Sequence, residues 1–274
     1  MNQSISFVRS PLRYPGGKSK AIDRILPQIP SDITEFREPF IGGGSVFLAI
    51  SSLRQSTAYS YWINDLNYDL YCFWKVARTD IDRLLSAITV LKQTYSDGRE
   101  LYTKLKEPKS VSSAFDRAVR FFIMNRITFS GVMDSGGYSQ QAFETRFTWS
   151  SIDRLRQITP YLVNTKITWG DYESLLQAEG KQVFLFLDPP YWKASKSKLY
   201  GIKGDLHTSF DHHRFAECMK QCSHRWLITY DDSPEIRELF SFAKIIEEWK
   251  LQYGMNNYGR KYAPKGNELF IKNY

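Results

Sequence analysis

Cysteine is scarce in this chain. Cys72, Cys218 and Cys222 are the only three in 274 residues, an odd number at irregular spacing, which leaves no disulfide framework and fits reduced thiols. Cys218 and Cys222 lie one helical turn apart ahead of His224, but no second pair has matching spacing, so no metal site is expected. Long apolar runs are missing as well. No stretch approaches the roughly 18 to 20 continuous apolar residues of a membrane span, and the opening MNQSISFVRS lacks the basic-then-apolar order of a signal peptide. A cytoplasmic location is expected on those grounds. Acidic residues are in deficit: 29 Asp and Glu against 37 Lys and Arg leave a net charge of +8 and a pI near 9.2. Such a balance favours a polyanionic partner, with nucleic acid the foremost candidate.

Neither low-complexity tracts nor internal repeats interrupt what is present, and a hydrophobic share of 42% is that of a globular protein. The element order reads as interrupted α/β. A helix is predicted from Ser19 to about Leu26, a strand from Phe36 to Phe40, a helix from Ser45 and a strand from Tyr59 to Ile63. From about Tyr68 to Leu162 the pattern turns helical, with Ile81, Leu84, Leu85, Ile88 and Leu91 spaced three or four apart. Strand signals resume at TKITWGD, VFLFLDPPY and RWLITYDD, and a hairpin is predicted from AKIIEEWKLQYGM to NELFIKNY. The expected fold is an α/β sheet with a structured helical insertion of roughly ninety residues between its second and third strands.

Two glycine runs lack what the common nucleotide motifs require. EPFIGGGSVFL sets Gly42, Gly43 and Gly44 between a strand and a helix, where a ligand can approach backbone and helix N-terminus. Asp65 follows about twenty residues on, the offset of an acidic residue that binds ribose hydroxyls. Phe47 stands where the third glycine of the dinucleotide fingerprint belongs, so an adenosine-containing cofactor fits and a nicotinamide one is disfavoured. In RYPGGKSK the phosphate loop's first glycine is replaced by Leu12, and an NTPase loses its main support. Either run alone reads equally well as a structural turn.

FLFLDPPYW carries the chemistry. Phe184 to Leu187 read as a strand covered on both faces, and Asp188 arrives at its C-terminal edge, where ligands bind in open α/β sheets. Pro189 and Pro190 stiffen the next residues and withhold two backbone donors, so a carboxylate and a bare carbonyl stand ready for an amino group. For an isolated Asp-Pro-Pro, a proline-capped turn is an equally good reading.

Taken together and in order, LRYPGGK, EPFIGGGSVFL, NDLN, WGD and FLDPPYW, with a helical segment between the third and fourth, resemble the Dam family of adenine-specific DNA methyltransferases. The resemblance implies an S-adenosylmethionine-dependent methyltransferase (Rossmann-like) sheet, residues 1–68 and 163–274, with an inserted helical target-recognition domain, residues 69–162. It further implies that Tyr14 and Lys18 contact the cofactor, that Phe40, Gly42 and Gly44 line its methionine side, and that Asp65 binds its ribose. Asp171 would lie near its adenine, and Asp188 would bridge cofactor and target base. Catalysis then falls to Asp188, Pro189, Pro190 and Tyr191. The Asp188 carboxylate and Pro189 carbonyl would accept the two amino protons and make a delocalised nitrogen more nucleophilic, while Tyr191 stacks on a flipped base. No metal and no covalent enzyme intermediate are needed.

The recognition stretch NRITFSGVMDSGGYSQ departs from the family pattern, with Ser130 where relatives carry asparagine, so a GATC target does not transfer simply. Asn125, Arg126, Ser135, Tyr138, Ser139, Gln140 and Gln141 are its candidate base contacts. Lys196 and Lys198, in the basic loop after the Asp-Pro-Pro-Tyr motif, are candidate phosphate contacts. Double-stranded DNA is the expected partner, a cognate restriction endonuclease a candidate one, and a monomer the expected state. The alternatives are an RNA exocyclic-amine methyltransferase and a catalytically silent DNA-binding homologue.

Overall fold

Val183–Leu187 offers water nothing but apolar side chains, and it forms a strand buried at every position. The computed structural model describes residues 7–54, 56, 58–107, 111–131, 137–193, 209–252 and 265–274. Within it, seven strands make one sheet: β1 (Glu35–Glu38), β2 (Ser60–Asp65), β3 (Thr165–Trp169), β4 (Val183–Leu187), β5 (Arg225–Asp231), β6 (Ile245–Gln252) and β7 (Lys265–Lys272). Their order is β3-β2-β1-β4-β5-β7-β6. All neighbours pair in parallel except β7, which runs antiparallel to both β5 and β6. The strand order reverses between β1 and β4, and a crevice above the C-terminal ends at that point is the natural ligand site of such a sheet.

Two cores cover the two faces. On one face Phe36, Phe184, Phe186 and Leu227 pack with α2 (Ser45–Leu53) and with helices of the long insertion between β2 and β3. That insertion comprises α3 (Tyr68–Thr79), α4 (Ile81–Thr94), α5 (Gly98–Lys106), α6 (Ala114–Ile127), α7 (Gln140–Arg146) and α8 (Trp149–Leu162). Phe73 and Trp74 of α3 and Phe121 and Phe122 of α6 belong to the same apolar cluster as the sheet, so the insertion is built onto the sheet. Its helix starts are written locally: Asn67, Asp97, Ser113, Ser139 and Thr148 each cap a helix by accepting a backbone N–H. The opposite face packs Leu185, Leu187, Ile228 and Leu269 under α9 (Glu173–Gln177), α10 (His212–Gln221) and α11 (Pro234–Leu239). No described helix is long and apolar enough to cross a membrane.

Three boundaries differ from the sequence expectation. The helix predicted from Ser19 to Leu26 is instead a four-residue α1 (Ile22–Ile25) between two 3-10 turns, because Pro27 removes a donor and no side chain caps either turn. β1 stops at Glu38, since Pro39 cannot extend the ladder, and leaves Phe40 in the turn above the sheet. β2 continues to Asp65, pairing with Trp169 of β3, so the acidic residue is part of the strand end.

Candidate active site

A cavity of about 910 Å3 opens at the predicted crevice. Tyr14, Lys18, Phe40, Gly42, Gly44, Asp65, Asp171, Asp188, Pro189, Pro190 and Tyr191 all line it, brought together from five separate stretches of chain.

The glycine turn forms one wall. Gly42 and Gly44 have φ of 45° and 67°, a region that side chains with a Cβ avoid. Space forbids a side chain too: a Cβ on Gly42 would meet the Tyr14 ring at 2.9 Å, and one on Gly44 the Trp74 ring at 2.7 Å. Trp74, from the insertion, also donates its Nε1–H to the Gly42 carbonyl at 3.2 Å. Glu38, 3% exposed, accepts the Phe47 N–H at 2.8 Å and so occupies the N-terminus of α2. Burial raises its carboxyl well above the usual carboxylate range. Asp65 accepts the Gly42 N–H at 3.0 Å and the Asn67 N–H at 2.9 Å. Burial pushes its carboxyl up to about 6 against the pull of those backbone donors.

Asp188 is held from two sides. The Lys18 ammonium, only 4% exposed, straddles its carboxylate at 2.7 and 2.8 Å and also donates to the Gly16 carbonyl. Thr229 of β5 donates its hydroxyl to the same carboxylate at 2.8 Å. The Lys18 ammonium also lies 4.9 Å from the Tyr191 ring centre. Beyond the prolines, Asp231 accepts the Trp192 and Lys193 N–H groups at 2.8 and 3.1 Å, and the Tyr191 hydroxyl donates to Glu268 at 2.9 Å. At the other end of the cavity, Asp171 receives a fork from Arg214 at 2.8 and 3.2 Å. Phe40 and Tyr172 meet there with ring centres 5.4 Å apart.

The residues predicted to read DNA divide three ways. Asn125 and Arg126 are corrections: α6 continues through Ile127, which turns both into the interior at 1% and 4% exposure. Asn125 accepts the Arg13 N–H at 2.9 Å and donates to the Arg13 carbonyl at 2.7 Å and that of Gly131 at 3.3 Å, so it fastens the RYPGGK segment to the insertion. Ser139, 7% exposed, caps α7 by accepting the Ala142 N–H at 3.2 Å. Tyr138 is half-buried beside Tyr102, and its hydroxyl bonds to exposed Gln140, which also donates to Glu144 at 2.7 Å. Gln141 is exposed. Ser135, Lys196 and Lys198 lie outside the described residues.

Arg126 has a further peculiarity. Its Nε has no hydrogen-bond partner, and burial together with Arg154, Arg13 and Arg146 lowers its pKa to about 9. A guanidinium buried among like charges is a net cost to the fold. Arg126→Met should therefore raise stability by roughly 1 to 3 kcal/mol in urea unfolding. A decrease would show that the charge is compensated in the folded protein.

Sequence reasoning missed Glu38, Thr229, Asp231 and Glu268 at the site. Thr229 and Asp231 stand two apart in RWLITYDD and therefore share one face of β5, a signal open to inspection. It also passed over Phe129, 59% exposed in a 3-10 turn whose Gly131 abuts the Arg13 carbonyl.

Comparison with known proteins adds relatives to this geometry. The type II methyltransferase M.MjaIII of Methanocaldococcus jannaschii is 25% identical over 207 residues, 69% of this chain and 71% of its own. M1.LlaDCHI of Lactococcus lactis subsp. cremoris, also a type II methyltransferase, is 25% identical over 281 residues, covering 96% and 94%. The DNA adenine methylase of Haemophilus influenzae is 22% identical over 247 residues, covering 85% and 83%. The family model described as D12 class N6 adenine-specific DNA methyltransferase matches residues 14–253, from the tyrosine of RYPGGK through all but the last strand. Fold, crevice and match agree: the chain belongs to the D12 class of N6 adenine-specific DNA methyltransferases.

Proposed function

We propose that this protein transfers a methyl group from S-adenosylmethionine to the exocyclic 6-amino group of an adenine extruded from duplex DNA. The observation that carries this reading is Asp188, a carboxylate at the end of buried β4, fixed by Thr229 and Lys18 and followed by two prolines that withhold their backbone donors. An amine with two protons needs two acceptors, and the Asp188 carboxylate and Pro189 carbonyl provide them. Acceptance of those protons localises the nitrogen lone pair and stabilises the positive charge that grows on the nitrogen. The proton lost after transfer is held at the Asp188 carboxylate before it reaches solvent.

The cofactor fits the residues present. S-adenosylmethionine, when bound, supplies an activated methyl on a sulfonium. Gly42 and Gly44 keep a tight turn, packed against the Tyr14 and Trp74 rings, on the cavity wall, and Asp65 beside it is an acceptor for ribose hydroxyls. Asp171 and the Phe40–Tyr172 pair form an aromatic, polar-edged end suited to an adenine ring. Tyr191 offers a stacking face for the target base. Residues 69–162 would be the target-recognition domain, joined to the catalytic sheet through Trp74 and Asn125. With Asn125 and Arg126 buried, base reading passes to half-buried Tyr138 and to exposed Gln140 and Gln141, while the cluster of Arg126 with Arg154, Arg13 and Arg146 favours a polyanion nearby. An exposed aromatic such as Phe129 can fill the gap that an extruded base leaves in the stack. The type II names of two relatives support a restriction endonuclease as a functional partner.

Incubation with S-adenosylmethionine labelled on its methyl, and with DNA or RNA in turn, followed by digestion to nucleosides, tests the reading directly. Label in N6-methyladenine from duplex DNA is expected; label in RNA alone, or on cytosine, would overturn it.

Affinity for S-adenosylmethionine should fall as pH drops through about 6, because the charged Asp65 is the better acceptor and its carboxyl is raised to about 6 by burial. Stability runs the other way. A carboxyl raised from 3.8 to about 6 binds its proton more tightly in the folded state, so its contribution to folding grows as pH falls across that window. Calorimetric titration at pH 5 and 7.5, with Asp65→Asn as control, checks this: equal wild-type affinity at both values would remove Asp65 from the ribose site.

A further inference from the structure

Glu268 is fully buried in the middle of β7, followed by the buried apolar residues Leu269, Phe270 and Ile271. In the antiparallel register it stands directly opposite Asp231 of β5. Two carboxylates facing one another on a covered sheet weaken the pairing, and each carries a desolvation cost. Apolar residues at both positions would make a more stable sheet. What the pair does is visible in its partners. Asp231 receives the Trp192 and Lys193 N–H groups, Glu268 receives the Tyr191 hydroxyl, and Thr229, two residues before Asp231, holds Asp188. Neighbouring positions of β5 and β7 thus hold Asp188, Tyr191, Trp192 and Lys193, on both sides of the two prolines.

Within that segment the prolines restrain the backbone and Asp231 anchors its exit, which leaves the side-chain torsions of Tyr191 to be set. A hydrogen bond at the hydroxyl, the far end of the ring, limits both torsions at once. The ring is also tied to the reacting carboxylate: the Lys18 ammonium over its face is the same group that grips Asp188. We propose that Glu268 is a positioning residue for methyl transfer, holding through the Tyr191 hydroxyl the ring against which the target adenine is stacked. This rests on the DNA-adenine reading of the Asp188–Tyr191 site and adds to it a residue of the last strand, outside the matched residues 14–253.

The test compares four variants with wild-type protein: Tyr191→Phe, Glu268→Gln, Glu268→Leu, and Tyr191→Phe combined with Glu268→Leu. Each is assayed for single-turnover methylation of the duplex that wild-type protein methylates, for binding of S-adenosylhomocysteine, and for fluorescence of 2-aminopurine placed at the target adenine. Tyr191→Phe and Glu268→Leu should each slow methylation roughly tenfold to a hundredfold and alter the 2-aminopurine signal. Affinity for S-adenosylhomocysteine should stay within about twofold, and the double variant should be no slower than the slower single one. Glu268→Gln, which keeps an acceptor oxygen, should recover most of the rate. Wild-type rate and fluorescence in Tyr191→Phe would overturn the proposal, as would losses that multiply in the double variant or a Glu268→Leu defect confined to cofactor binding. If Glu268→Leu does not fold, Tyr191→Phe and Glu268→Gln still decide. Failure of wild-type protein to methylate adenine in DNA would instead strike the proposed function, before any variant is compared.

Discussion

Asp188→Ala is expected to lose roughly two to three orders of magnitude in turnover while still binding DNA, the scale set by removal of one preorganised electrostatic partner. The carboxylate takes its place from three sources: the rigid end of β4, the Thr229 hydroxyl and the Lys18 ammonium. None of these needs to reorganise as charge grows on the amine, which is why the loss should appear in the chemical step. Removal of the carboxylate also strands Lys18, a cation 4% exposed, so the variant should lose stability as well. Asp188→Asn keeps the side-chain shape but loses the charge and turns one acceptor oxygen into a donor, so it should lose turnover on a similar scale while avoiding the cavity that alanine leaves. Single-turnover methylation with saturating cofactor and DNA, alongside urea unfolding, measures both. A folded Asp188→Ala that methylates at the wild-type rate would remove this carboxylate from the mechanism.

The second large effect is expected at the glycine turn. Gly44→Ala should lower the unfolding free energy by roughly 2 to 4 kcal/mol, the sum of a left-handed residue that now carries a Cβ and the overpacking of a closed core. The backbone there has φ 67°, and the added carbon would sit 2.7 Å from the ring of Trp74, which is fully buried and has nowhere to retreat. Relief requires the Gly42–Gly44 turn or helix α3 to move, and either motion displaces Asp65, whose carboxylate accepts the Gly42 N–H. Cofactor affinity should fall together with stability. Gly16 supplies the control: it also has a positive φ, but a Cβ there would meet nothing within 4 Å, so Gly16→Ala should show only the smaller backbone cost. Equal losses at the two positions would show that Trp74 yields and the turn is not wedged.

Much of the cavity wall is legible in the sequence. A buried strand that ends on a carboxylate, and glycines between a strand and a helix, are local patterns with local causes, and both segments stand on the cavity. Helix caps such as Asn67 and Ser113 went unread although they too are local, since a capping side chain bonds to the backbone three residues on. The sequence could not say which polar residues near the recognition loop face water. Asn125 and Arg126 follow an amphipathic pattern whose two faces are both covered once α6 lies between the RYPGGK segment and the sheet-side core.

By itself the sequence determined which groups are available: a carboxylate followed by two prolines at Asp188, an acidic residue at Asp65 some twenty residues past the glycines, and a net charge of +8. Those depend on residue type and short spacing. The tertiary structure alone decided who holds them. Thr229, Asp231 and Glu268 lie 38 to 77 residues from the segment that they brace, and Lys18 lies 170 from Asp188. Such pairings are created by strand order and register, as β5 beside β4 and β7 beside β5, and a pairing across that distance leaves no periodic trace in the chain.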